Sequence, residues 1–136
     1  MWGQFCEDYA PKKVNKTNKI IYPAIYKHFK NELEPTKYIY ATIGVSKPLD
    51  FNKVRYERTM LVAEHTETKR GISIFVTDKG EIFHCMQDCK ETLVIYKSLY
   101  NDAMSHARPL EMFLGEVDKE KYPNVEQQFR FELVRY

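Results

Sequence analysis

The side chains best suited to ligand chemistry in this sequence are arginines and aromatic residues. A guanidinium group matches a phosphate or pyrophosphate through two parallel hydrogen bonds, and an aromatic ring can stack on a purine for ~1–3 kcal/mol per base. The aromatic set is large, with ten tyrosines, eight phenylalanines and one tryptophan. The residues considered are Arg58, Arg108, Arg130 and Arg135 as cations, Phe83, Tyr96, Tyr100 and Phe131 as stacking rings, and Asn101 and Asp102 as polar groups. This set is typical of a site for a nucleotide-sized anion, although aromatic core residues beside a solvated arginine face would produce the same alternation.

The residues that could support covalent catalysis or metal binding are scattered along the sequence. None of the four histidines (His28, His65, His84 and His106) has a serine or cysteine at a recognised catalytic spacing. The three cysteines, Cys6, Cys85 and Cys89, are an odd number, which favours reduced thiols. A zinc site built on the last two would need a second ligand pair. No phosphate-binding glycine loop or nucleophile elbow is present. We therefore expect a protein that is not an enzyme and that uses no metal or cofactor.

The length and the net charge of the chain restrict the number of domains and the classes of partner. A chain of 136 residues predicts one domain. Its formal charge of +2 is nearly balanced, which argues against binding to a nucleic-acid polymer. No apolar run is long enough to span a membrane, and the first residues do not resemble a secretory leader. A cytoplasmic protein without a membrane partner is the expectation.

The elements that must position these side chains are mainly strands. Residues 1–23, with two prolines and a basic stretch, are predicted to form an extension or arm, and residues 24–136 a single β-rich domain. Alternating or apolar runs predict strands over 37–45, 58–65, 92–99 and 128–136, a hairpin over 72–86 with Gly80 in its turn, and a short helix over 109–114. For residues 22–30 a short helix and an extended segment are equally compatible with the pattern. The predicted fold class is α+β, a mostly antiparallel twisted sheet that resembles a small barrel, with five to seven strands and one or two short helices.

Three stretches resemble a family of small bacterial and phage proteins that is known only as a domain of unknown function. They are residues 26–31 (YKHFKN), residues 63–68 (AEHTET), and residues 94–100 (VIYKSLY) with 108–114 (RPLEMFL). The chain differs from simple family members by its N-terminal extension and by the hairpin over 72–86. In that elaborated form it resembles phage anti-defence proteins that counter Thoeris, of the first type described.

The resemblance implies a function without catalysis. Such proteins act as molecular sponges that hold a cyclic ADP-ribose isomer, made by a bacterial TIR enzyme, in recesses at a homodimer interface. Larger homo-oligomers occur, and some members also hold cyclic oligonucleotides at separate sites. The resemblance to the RPL motif favours Arg108 as the main ligand residue, with Phe83 for stacking and Asn101, Arg58 and Arg130 as secondary contacts. An enzyme that cleaves such a signal, a β-rich nucleic-acid-binding domain and an oligomerising module remain alternatives.

Overall fold

The chain forms eight strands in the part that the computed structural model describes, residues 18–51, 58–101 and 104–136. The strands are β1 (Ala24–His28), β2 (Ile39–Leu49), β3 (Arg58–His65), β4 (Gly71–Val76), β5 (Ile82–Cys85), β6 (Leu93–Ser98), β7 (Ser105–Pro109) and β8 (Phe131–Arg135). One 3-10 helix (Phe29–Glu32) follows β1, and one short α-helix, α1 (Leu110–Phe113), follows β7. The prediction of a mainly β chain with one or two short helices is therefore confirmed.

Six of the strands close into a small barrel. They follow the order β5-β4-β3-β7-β6-β2, and a pairing between β2 and β5 closes the ring. The long strand β2 makes this closure because its first half pairs with β1 and its second half with β5, while β6 pairs along its other edge. Strands β1 and β8 continue the sheet outward from β2. The predicted resemblance to a small barrel is correct.

The sheet is mixed, and the expectation of a mostly antiparallel sheet needs correction at two pairings. Strand β2 runs parallel to β5, and β3 runs parallel to β7. Both parallel pairs are short contacts between strands that are distant in sequence. Short connections predict antiparallel pairing only for strands that follow one another in the chain, so they did not predict these two parallel pairs.

The barrel interior is filled by aliphatic side chains from all six of its strands. The buried members are Ala63, Ile72, Ile74, Leu93, Ile95 and Ala107, and Ile43, Leu61, Ile82 and Cys89 pack against them. A second core lies on the outer face of the sheet, where α1 and β8 cover β1, β2 and β6; it contains Tyr26, Tyr40, Val94, Tyr96, Phe113 and Phe131. Strand β6 separates the two cores and is buried on both faces, which explains its continuous apolar run.

The segment before the first strand belongs to the folded body as far as the structure describes it. Ile20 and Ile21 pack against the outer core, and the backbone N–H of Ile21 donates to the hydroxyl of Tyr26 at 2.9 Å. The side chain of Asn18 reaches the carbonyl of Leu114. The predicted extension over 1–23 thus includes six residues, 18–23, that pack on the domain, and residues 1–17 lie outside the described part.

Candidate functional site

Arg108 lies within a group of aromatic side chains on the outer face of the barrel, which we call the arginine–aromatic cluster. Its buried members are Tyr40, Tyr96 and Phe131, and its partly exposed members are His28, Tyr38, Tyr100, His106 and Arg108. Five strands, β1, β2, β6, β7 and β8, contribute to it. Neighbouring rings lie 5.0–6.1 Å apart between centroids, mostly edge to face. The cluster is therefore a contiguous group of rings around Arg108, buried at Tyr40, Tyr96 and Phe131 and partly exposed at the other members.

The two-residue period of β7 places Arg108 in this cluster. Ala107 points into the barrel, so His106 and Arg108 on either side of it point outward. The register with β6 puts His106 opposite Tyr96 and Arg108 opposite Val94. Pro109 then ends the strand and precedes α1. The RPL motif thus encodes a strand end followed by a helix, with the arginine on the outer face.

Within the described residues, the guanidinium of Arg108 donates one hydrogen bond. Its Nε donates to the hydroxyl of Tyr96 at 3.0 Å, and its Cζ lies 5.3 Å from the centroid of the Phe131 ring. Among the described residues no carboxylate forms an ion pair with it; the two ion pairs found are Lys27–Glu132 and Lys37–Glu34. A partly buried arginine without an acidic partner is suited to binding an anion.

The surroundings of His28 show that this surface is electropositive. Burial, and then the charges of Arg108, Lys30 and Arg130, lower the pKa of His28 from 6.5 to about 3. Its neutral Nδ1 accepts a hydrogen bond from the backbone N–H of Lys30 at 3.2 Å. The imidazole stays neutral at physiological pH, and three cations surround it. A bound anion would be attracted by the same charges that exclude a proton from His28.

The two buried tyrosine hydroxyls of the cluster, those of Tyr40 and Tyr96, remain protonated. Burial, reinforced by the Tyr100 hydroxyl, raises the pKa of Tyr40, and burial raises the pKa of Tyr96 despite the nearby Arg108. The hydroxyl oxygens of Tyr40 and Tyr100 are 3.1 Å apart and share a hydrogen bond. These groups can donate to or accept from ribose hydroxyls or phosphate oxygens, but they are not bases.

Two other predicted site residues lie near the cluster with different surroundings. Arg130 donates from Nε to the carbonyl of Glu116 at 3.2 Å and from Nη1 to the carbonyl of Met112 at 3.5 Å, so it ties α1 to the segment before β8. Asn101 is exposed and directly follows Tyr100. Arg130 therefore contributes charge to the cluster from a structural position, and the predicted ligand roles of both residues stay predictions.

Phe83 and Arg58 belong to another part of the barrel. Phe83, on β5, is 4% exposed and its ring lies 6.0 Å from that of Phe75 and 5.9 Å from that of Phe51. It also lines an open groove of about 590 Å³, whose other residues include Tyr22, Gly44, Lys47, Lys79, Glu81 and Ile82. Arg58 begins β3 opposite Val76 of β4, and its side chain lies outside the described part. Within one chain the five predicted residues thus fall into two groups.

The sequence analysis did not single out several members of the cluster. The sequence predictions include His28 as a scattered histidine and as part of the YKHFKN motif, and Tyr38 and Tyr40 as residues of a strand, none of them with a ligand role. A usable signal was present, since Tyr38 and Tyr40 share one face of an extended segment and His28 stands in a motif with two flanking aromatic residues. Their meeting with Arg108 depends on pairings between strands that are distant in sequence.

The groups that suggest metal or nucleophilic chemistry lie elsewhere and do not suit it. One atom each of His65, Cys89 and Glu91 fall within 4.8 Å of one another. However, Nδ1 of His65 accepts the backbone N–H groups of Glu67 and Thr68, which places the proton on Nε2 and leaves no lone pair there for a metal.

The hydrogen-bonded pair of Ser46 and His84 has no access to substrate. His84 accepts the Ser46 hydroxyl at Nδ1, 2.7 Å away, and donates from Nε2 to the carbonyl of Cys89. Both side chains are fully buried, and burial lowers the pKa of His84. The pair acts as a buried bridge between β2 and β5.

Comparison with known proteins found a family match for part of the chain. A family model described as a protein of unknown function, DUF1653, matches residues 79–133, which is less than half of the chain. This region begins in the turn before β5 and includes β6, β7, α1 and most of β8. No curated protein and no solved structure matches the chain. In the described residues, no helix is both long and apolar enough to cross a membrane.

Proposed function

We propose that this protein binds a cyclic ADP-ribose isomer and holds it without altering it, and so blocks the Thoeris defence of a bacterial host against phage. The observation that supports the proposal best is Arg108, a partly exposed guanidinium with no acidic partner among the described residues, surrounded by aromatic rings and further cations. A cyclic ADP-ribose isomer offers a pyrophosphate for the cation, a purine for the rings and ribose hydroxyls for the tyrosines. The resemblance of residues 108–114 to the RPL motif of the family of unknown function points to the same residue.

Retention without reaction is consistent with the available side chains. A hydrolase would need a general base or a nucleophile beside the ligand. In the arginine–aromatic cluster, His28 is neutral and already accepts a backbone N–H, and the buried Tyr40 and Tyr96 keep their protons. His106 is the other histidine of the cluster, and the state of the recovered ligand, cyclic or linear, tests whether it acts as a base.

Two copies of the chain are part of the proposal. Arg108 and Phe83 lie on different strands of one barrel, with no contact between them. A homodimer could bring Arg108 of one copy beside Phe83 of its partner, and closure between two copies slows the release of a ligand, as a sponge requires.

The test is recovery of the ligand after denaturation. The pure protein is mixed with a cyclic ADP-ribose isomer, freed of unbound ligand by gel filtration and heated, and the supernatant is analysed by chromatography. We expect intact cyclic ligand in the supernatant at a stoichiometric amount. Linear ADP-ribose in its place would show cleavage, and an empty supernatant would show that the protein does not retain this ligand.

An Arg108→Ala variant is the control for the site. It should elute without ligand and remain folded by circular dichroism, with a lower melting temperature because the buried Tyr96 hydroxyl loses its donor. A variant that retains the ligand as well as the wild type does would remove Arg108 from the proposed site.

A further inference from the structure

Tyr38 has a backbone conformation that its side chain disfavours. Its φ is +65°, in the left-handed region where glycine carries no steric penalty and a bulky residue is an outlier. Lys69 is the other described non-glycine residue with a positive φ, also +65°, and it lies in the exposed turn between β3 and β4. A turn lysine has no packing role there, so only Tyr38 combines this conformation with an aromatic ring at the candidate site.

The surrounding chain holds Tyr38 in this conformation. The backbone N–H of His28 donates to the carbonyl of Tyr38 at 3.0 Å. Asn31 donates from Nδ2 to the carbonyls of Pro35 at 3.1 Å and Lys37 at 2.7 Å, so the connection that leads into β2 is fastened immediately before Tyr38. The backbone would keep the same course with glycine at this position, and at lower cost.

The ring of Tyr38 is only partly buried by contacts within the protein. It packs against the edge of the outer core, 5.5 Å from the ring of Tyr100 and 5.9 Å from that of His28, and it remains partly exposed. His28 in turn lies in the field of Arg108. Strained residues that persist beside a site are often part of its function. Tyr38 thus combines a strained backbone with a partly exposed ring, and His28 lies between it and the charge of Arg108. This combination favours a contact between the ring and a bound ligand.

We propose that Tyr38 is a ligand-contacting residue, and that the planar base of the nucleotide bound at Arg108 packs against its ring. This inference rests on the proposed function and adds the residue that recognises the base, while Arg108 recognises the phosphates. The tyrosine ring is the feature that matters, and its hydroxyl is not required for this contact.

The experiment compares substitutions that separate the ring from the backbone. Affinity for a cyclic ADP-ribose isomer is measured by isothermal titration with the full chain and its Tyr38→Phe, Tyr38→Gly and Tyr38→Ala variants. Loss of a stacking ring should weaken binding about 10-fold or more in the Gly and Ala variants, and Tyr38→Phe should bind as the wild type does. The Gly variant should melt at a higher temperature than the Ala variant, because glycine removes the strain.

Two controls make the result specific. Lys69→Gly relieves the same backbone conformation in an exposed turn and removes no aromatic ring, so it should leave affinity unchanged. Inorganic pyrophosphate, which has no base, should bind Tyr38→Gly and wild type with equal affinity in direct titrations and Arg108→Ala more weakly.

The outcomes distinguish failure of the proposed Tyr38 contact from failure of the proposed function. If the wild type binds and folded Tyr38→Gly binds equally well, Tyr38 is not a ligand contact and the proposed function stands. If Tyr38→Phe loses affinity as Tyr38→Gly does, the hydroxyl and not the ring makes the contact, and the inference is wrong. If the wild type binds neither the cyclic ligand nor pyrophosphate, both proposals fail.

Discussion

At the scale of single residues, the arrangement around His28 couples the candidate site to stability. The imidazole is kept neutral by burial and by three cations, and it forms an N-cap-like contact with the N–H of Lys30. We therefore interpret His28 as part of an electropositive surface and not as a base.

We expect the free energy of unfolding of the protein to decrease as the pH is lowered, because of His28. Above pH 6.5 His28 is neutral in both folded and unfolded chains. Below that value the unfolded chain takes up a proton that the folded site, with a pKa of about 3, does not accept. The free energy of unfolding therefore decreases by up to about 1.4 kcal/mol per pH unit between pH 6.5 and 3.

The measurement is urea unfolding at several pH values for wild type and His28→Asn, which keeps an acceptor near Nδ1. The variant should lose less stability than the wild type between pH 7 and pH 4.5. Parallel pH profiles of the two proteins would contradict the pKa assigned to His28.

At the scale of elements, the barrel depends on the closure between β2 and β5. This parallel pairing is only three residues long, and the buried Ser46–His84 hydrogen bond spans it. Turn and strand patterns predicted β3 over its whole length and the hairpin of β4 and β5, because those signals are local. They did not predict the closure or β7, since the polar segment Ser105–Pro109 becomes a strand through its pairing with β6 and β3.

The same limit applies to the candidate site. Arg108 could be selected from the sequence because its motif resembles a family motif. Tyr96, Tyr100 and Phe131 could be chosen as stacking candidates from their residue type, but their grouping with Arg108 could not be predicted, since the segments that carry them meet only in the folded sheet. Phe83 shows the opposite case: its aromatic type suggested stacking, and the structure places it against Phe75 and Phe51, almost completely buried.

Removing the Ser46 hydroxyl should weaken barrel closure. Ser46→Ala leaves Nδ1 of His84 buried without a donor, which costs about 1–3 kcal/mol. Ser73→Ala is a suitable control, because Ser73 lies partly buried on β4 and its side chain makes no hydrogen bond to the described residues. Equal chemical-denaturation midpoints for the two variants would mean that the bridge does not hold β2 to β5.

Phe83 should contribute to stability as well as to any ligand contact. Phe83→Ala is expected to lower the free energy of unfolding by about 3–5 kcal/mol, as for other buried phenylalanines. Phe83→Leu keeps most of the volume and should cost less than about 1.5 kcal/mol, so ligand binding is best tested in that variant. An unchanged melting temperature for Phe83→Ala would contradict its assignment to the packed core.

At the scale of the whole molecule, one barrel carries two groups of candidate ligand residues that a second copy can bring together. We expect the protein to sediment at twice the monomer mass or more. If each site combines Arg108 of one copy with Phe83 of the partner, mixing unfolded Arg108→Ala and Phe83→Leu chains and refolding them together should restore about a quarter of the wild-type sites, as random pairing in a symmetric dimer requires. A mixture with no more binding than either variant alone would place each site within one copy.

The central claim is that Arg108 anchors a doubly anionic cyclic nucleotide, and titration calorimetry tests it most directly. A cyclic ADP-ribose isomer is titrated into the wild type, Arg108→Lys and Arg108→Ala, with circular dichroism to verify that each is folded. The account predicts saturable binding to the wild type, weaker binding to the lysine variant, and a loss of about 10- to 100-fold for alanine, as expected for charge-assisted hydrogen bonds. Equal affinity in all three folded proteins, or no heat with the wild type, would contradict it.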